Sequence, residues 1–213
     1  RDAIADISTL KDPRQSTAND RPARYFRITK GIPMPSGIAQ KTLGETDYEM
    51  RQIVGYGPVH PDGSIRAEIP ADTPITIEVL DKEGRSFAPH LSWLQVRPGE
   101  TRTCHGCHSP RTAPSINTES LKSAHPNTYF SPQQVVTATG TINETMAETL
   151  ARETQNDSIQ LNATPSYQDV WTDPSLAGRT PDLSEQLDYT DVLVTPDNGT
   201  INYSEHIQPI WER

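Results

Sequence analysis

The sequence predicts a mainly β protein, an antiparallel β-sandwich-like scaffold with long coil segments and few short helices. Three observations carry this. Short runs alternate apolar and polar residues, as in Ile75-Thr76-Ile77-Glu78-Val79. Turn sequences, Pro61-Asp62-Gly63-Ser64 and Asp81-Lys82-Glu83-Gly84, punctuate those runs at the spacing of a sandwich. Prolines number 19 and hydrophobic residues make up 33% of the 213-residue chain, so a lean core must be joined by much loop.

The elements follow in order. Residues 1–23 read as an irregular polar segment. Arg24 to Lys30 alternates as a strand through Tyr-Phe-Arg-Ile-Thr. Gly31 to Gly44 is a Pro/Gly loop, and Arg51 to Tyr56 is a further strand. Ile65, Ala67 and Ile69 alternate with Arg66 and Glu68, which predicts the clearest β segment. Ile75 to Val79 follows after Pro74. Trp93, Leu94 and Val96 form a third apolar run, closed by Pro98-Gly99. Asn143 to Thr154 is the best helix, with Met146, Leu150 and Ala151 on one face. Asp157 to Gly199 is polar and turn-rich, an ordered wrap over the core or a partly flexible loop. The organisation predicted is therefore a β-rich domain over 24–135 and a loop-rich extension over 136–213.

The net charge of −9 excludes nucleic acid as a partner, because phosphates need Lys and Arg. It suits a basic protein partner, although it also serves solubility alone. No run approaches the roughly 18 apolar residues of a membrane span. The chain starts at Arg1 and is expected to be a mature or excised piece of a longer precursor.

Both cysteines lie in Cys104-His105-Gly106-Cys107-His108, a C-x-x-C-H motif. Two thiols at this spacing can each add to a vinyl group on one haem edge. The following histidine supplies a neutral imidazole to the iron, and Gly106 leaves room for the porphyrin face. The motif thus predicts one covalent haem c, tethered by Cys104 and Cys107 with His108 as proximal ligand. A zinc site built on Cys104, Cys107, His108 and a distant histidine is one alternative. A thioredoxin-like dithiol is another, but it requires a strand-to-helix setting. Here the motif follows Pro98-Gly99-Glu100 and precedes a Pro-rich loop.

The distal ligand must come from elsewhere. His90 opens a strand that runs toward the Pro98-Gly99 turn and so toward the cysteines, which makes it the preferred residue. Met50 and His125 are the alternatives. His60 reads as a solvated turn residue and Met146 as the core face of the helix. Trp93 is a candidate to pack on the porphyrin, against ordinary core packing. Arg97 and Arg102 flank the attachment segment and can pair with propionates, against solvated surface charge.

Several elements recur in one order. They are Pro-Asp-Gly-Ser at 61–64, Ile-Pro-Ala at 69–71, Leu-Asp-Lys-Glu-Gly at 80–84, Trp-Leu-Gln-Val-Arg-Pro-Gly-Glu at 93–100, and the C-x-x-C-H motif. Together, from about Arg24 to about Phe130, they resemble the haem-bearing middle domain of the hydrazine synthase alpha subunit and its relatives in exported bacterial multihaem proteins. The resemblance implies a periplasmic or extracellular haem c domain. It also implies a histidine just before the Trp-Leu-Gln-Val run, which His90 matches. Thr112 stands four places after His108, where the enzyme's motif carries a tyrosine. The domain and its haem are therefore carried over rather than hydrazine synthesis. Ile201 to Trp211 resembles the run-in to a further C-x-x-C-H domain. The function expected is mono-haem electron transfer, with a redox protein or a neighbouring haem domain as partner. A haem enzyme with an open distal site, doing peroxidase-like or nitrogen-oxide chemistry, is the rival.

Overall fold

A computed structural model describes residues 16–34, 36–37, 49–89, 92–104, 129–131, 134–136, 145–154, 160–172, 184–187 and 203–211. Its centre is a four-stranded antiparallel sheet. The strands are β1 (Tyr25–Gly31), β2 (Arg51–Pro58), β3 (Ile75–Leu80) and β4 (Ser86–Pro89), in the order β2-β1-β3-β4. Two two-stranded ribbons accompany it: β5 (Tyr129–Ser131) with β6 (Gln134–Val136), and β7 (Ser166–Tyr167) with β8 (Glu185–Gln186). The helix α1 spans Met146–Thr154, and a π-helical turn at Tyr203–Ile207 leads into the short α2, Gln208–Trp211. The mainly β, antiparallel architecture with few helices agrees with the sequence. No described helix is long and apolar enough to cross a membrane.

Register explains why both faces of the sheet are covered. Tyr25 lies opposite Leu80, and Phe26 opposite Val79 and Gly57. Because side chains alternate, Tyr25, Leu80 and Tyr56 share one face, while Phe26, Ile28 and Ile75 share the other. The first set packs with Ala18 and Tyr167, and the second with Val59 and Leu161. Phe26, Ile28 and Ile75 are each fully buried, which stabilises the fold by about 2 kcal/mol apiece. β2 could not supply bulk here. A Cβ on Gly57 would collide with the Phe26 ring, and one on Gly55 would come within 2.6 Å of Leu161 Cβ. Glycine at these two positions lets the ring and the crossing chain sit against the strand.

The segment from Ile65 to Ile69 corrects the sequence reading. It belongs to no strand. Ile65, Ala67 and Ile69 nevertheless pack against the second cluster while Arg66 and Glu68 face out. Period-two alternation reports which side chains are buried, not whether the backbone finds a ladder partner, and Pro61 and Pro70 bracket this run. Within residues 16–23, the described part of the N-terminal segment, one short element forms. Ala18–Asp20 is a 3-10 helix with Ala18 fully buried, closed by a hydrogen bond from the Thr17 amide to the Asp20 carboxylate at 2.7 Å.

The C-terminal segments close one end of the sheet. Asp62 Oδ2 accepts a hydrogen bond from the Met146 amide at 2.9 Å, and Ser64 Oγ accepts one from Ala147 at 3.0 Å. The Pro61–Ser64 turn therefore caps α1 from more than eighty residues away, alongside the helix's own capping box of Thr145 and Glu148. Tyr56 and Asn162 exchange backbone hydrogen bonds of 2.9 and 2.8 Å, extending the sheet beyond β2. Tyr25 and Tyr167 meet edge to face at 6.2 Å.

Polar groups complete this closure. Asp169 is fully buried; it accepts from the amides of Ala18, Trp171 and Thr172, each at 3.1 Å, and pairs with Arg21 at 3.5 Å. Arg24 is buried, reaches Glu185 at 2.7 Å and lies 4.7 Å over the Tyr167 ring. Burial pushes the Tyr167 phenol up to about 12, against the opposing pull of Arg21.

Candidate haem attachment site

The opposite end of the sheet, where β1 finishes, leads to the C-x-x-C-H motif. After β4 the chain returns to the outer side of β3: Leu94 and Ile75 exchange two backbone hydrogen bonds of 2.9 Å. The Asp72 amide then donates to Val96 O at 2.8 Å. The chain turns at Arg97–Glu100, where the Glu100 amide donates to Arg97 O at 3.0 Å and Gly99 takes a φ of 73°. That positive φ is why glycine follows Pro98 in this turn. Four residues later stands Cys104, exposed and with a free thiol.

Trp93 is partly buried and held from two sides. Its indole Nε1 donates to Glu49 Oε2 at 2.7 Å, and the Arg51 guanidinium lies 5.0 Å from its ring centroid. Glu49 and Arg51 come from the run-in and start of β2, at the other edge of the sheet. They bracket Met50, which is 40% exposed and whose carbonyl accepts from Ile32. The sequence pointed to neither Glu49 nor Arg51, because their role depends on strands that are distant in sequence meeting at one sheet end.

Glu100 is the third residue the sequence reading did not single out. Its carboxylate accepts from the Arg97 amide at 2.8 Å and from Arg102 Nη2 at 2.9 Å. The Arg97 amide first, and the Arg102 guanidinium second, hold the Glu100 carboxyl below the usual carboxylate range. Its spacing, three residues after Arg97 and two before Arg102, was the available signal. Arg97 is exposed and Arg102 about half exposed, so both guanidinium groups are open to solvent on the approach to Cys104.

His90, Cys107, His108 and His125 lie outside the described residues. Two other sequence candidates meet Trp171, Met146 buried and His60 partly buried. Met146 is 2% exposed and packs against Trp171. His60 Nδ1 accepts the Trp171 indole N–H at 3.0 Å, which leaves the imidazole proton on Nε2. A neutral histidine so engaged has no lone pair on Nε2 for iron. Burial moreover lowers its pKa to about 4. His60 is thus a packed partner of Trp171 rather than the solvated turn residue the sequence suggested.

The donors near the motif fit a covalent haem. An exposed thiolate-forming group, a second thiol three places on and an adjacent imidazole are the set that thioether attachment needs. Arg97 and Arg102 add positive charge on the approach to Cys104.

Residues 17–109 match the family model described as the hydrazine synthase alpha subunit middle domain, and the match closes one residue after His108. The chain is 34% identical over 83 residues to hydrazine synthase subunit alpha from Kuenenia stuttgartiensis, covering 39% of this chain and 10% of that protein. The chain therefore spans only a small part of the curated relative it matches. No solved structure matches significantly.

Proposed function

We propose that this chain is a mono-haem c-type cytochrome module for electron transfer within a larger exported bacterial protein. The observation that carries the reading is the coincidence of two things. A C-x-x-C-H motif, Cys104 to His108, sits at the end of a segment similar to the hydrazine synthase alpha subunit middle domain, and the free thiol of Cys104 is exposed there. When bound, the haem supplies reversible one-electron transfer. Cys104 and Cys107 tether it and His108 donates its imidazole as proximal ligand. His90 is the distal ligand of this reading, with Met50 and His125 as substitutes. Arg97 and Arg102 balance propionate charge, and Trp93 borders the porphyrin. Attachment through thioethers places the protein in the periplasm or outside the cell. The partner is a redox protein or a neighbouring haem domain.

The test is production with the bacterial haem-attachment machinery, followed by visible spectra and haem staining on a denaturing gel. Red protein with a six-coordinate low-spin spectrum is expected, and changing Cys104 and Cys107 together to Ala should remove all covalent haem. His90→Ala should give a high-spin ferric haem that binds cyanide, while Met50→Leu leaves the spectrum unchanged. Zinc without iron in the purified protein would sink the reading. One observation favours a second reading, an enzyme with an open distal site: the similar curated protein is a subunit of a synthase. A five-coordinate spectrum in the unmodified protein would select that reading instead.

A further inference from the structure

At the closed end of the sheet lies a cleft of about 340 Å³, within the size range of small-molecule sites. β1 has 7 residues, so the cleft and the attachment end are separated by about 20 Å of strand. Pro58, Leu150 and Trp171 give the cleft apolar walls; His60, Asn162 and Gln168 give it polar atoms. Among the described residues that line it there is no Asp, Glu, Lys or Arg.

We propose that this cleft binds a small uncharged, oxygen-rich molecule of the carbohydrate type. The chemistry of the lining selects it. Trp171 fixes His60 as the Nε2–H tautomer, so the imidazole presents a donor of settled identity, and Nε2 has no partner among the described residues. Asn162 gives one amide N–H to Ser166 Oγ at 3.1 Å, which leaves the other N–H to donate and the carbonyl to accept. A charged ligand would lose water here without gaining a counter-charge from the described lining residues. A wholly apolar ligand would strip water from His60 and Asn162 and replace none of their hydrogen bonds. A neutral ring carrying hydroxyl groups and an apolar C–H face meets both demands. The site is open at the surface, so affinity should be modest, with a Kd near 1 mM.

The experiment is ligand-observed saturation-transfer NMR on the full chain with methyl glucopyranoside and N-acetylglucosamine as neutral probes. Glucuronate and glucosamine serve as charged analogues. Saturable binding of a neutral probe is expected, with the charged analogues about tenfold weaker. His60→Asn keeps an oxygen acceptor for the Trp171 N–H but removes the Nε2 donor, and should weaken binding about tenfold. Gln168→Ala, at an exposed position that leaves the fold intact, should weaken it several-fold and guards against misfolding of the first variant. No saturable signal up to about 10 mM, equal binding of charged and neutral probes, or binding indifferent to both variants would each overturn the proposal.

Discussion

At the end of the sheet where β1 begins, Arg21, Asp169 and Thr172 are buried and bond to one another, and buried Arg24 reaches Glu185. At the end where β1 finishes, Arg97, Glu100, Arg102 and Cys104 are exposed, and the first three are joined by short-range hydrogen bonds. The same residue types do different work at the two ends. Buried charge ties together chain segments about 150 residues apart, as Asp169 does for Ala18 and Arg21. Exposed charge shapes one local turn and leaves its guanidinium groups open. Stability should therefore be concentrated at the first end, and chemistry placed at the second. A buried ion pair is costly to break, whereas a surface pair contributes little.

The largest effect expected tests the buried end directly. Asp169→Ala would leave Arg21 as an uncompensated buried charge and free three amides, costing about 3–5 kcal/mol. Urea unfolding should show the midpoint fall accordingly. A loss under about 1 kcal/mol would mean that this end does not hold the fold together.

Next comes Gly57→Ala, which drives a methyl into the Phe26 ring. It should cost about 1–3 kcal/mol, since a packed core resists extra volume. Thermal unfolding would reveal it, and a neutral result would show that the Phe26 face is loosely packed.

A pH scan sharpens the comparison further. The folded-state pKa of His60 is lowered from 6.5 to about 4, chiefly by burial. Between those values the unfolded chain binds more protons, so stability rises with pH across that window. It should be level above pH 6.5 and fall as pH drops from there toward 4. His60→Asn should flatten this slope, and an unchanged slope would remove His60 as its cause.

The smallest effect concerns the open end. Arg102→Ala should leave the unfolding midpoint unchanged. On the proposed reading it should lower the haem reduction potential, because a positive charge near the propionates is lost. Voltammetry separates the outcomes, and a destabilised fold with an unchanged potential would invert the contrast drawn between the two ends.

Much of this was legible in the sequence. Tyr25–Gly31 and Ile75–Leu80 were readable because alternation and flanking turns mark a strand locally. Helix α1 was readable from its apolar face, and Thr145 with Glu148 spells a capping box that would have fixed its start. The C-x-x-C-H motif was readable because thioether attachment depends on spacing along the chain. The Ile65–Ile69 run misled because burial and laddering share a period of two.

By itself, the sequence determined which segments could be strands, where the turns fall and which residues make up the motif on which the proposed haem rests, since those follow from neighbours within a few positions. Only the tertiary structure decided that Pro61–Ser64 caps a helix more than eighty residues away, that Glu49 and Arg51 grip Trp93, and that His60 faces Trp171. The physical reason is that hydrogen bonds and ring contacts between distant segments are set by the register of strands and the packing of both sheet faces. No local pattern encodes that geometry.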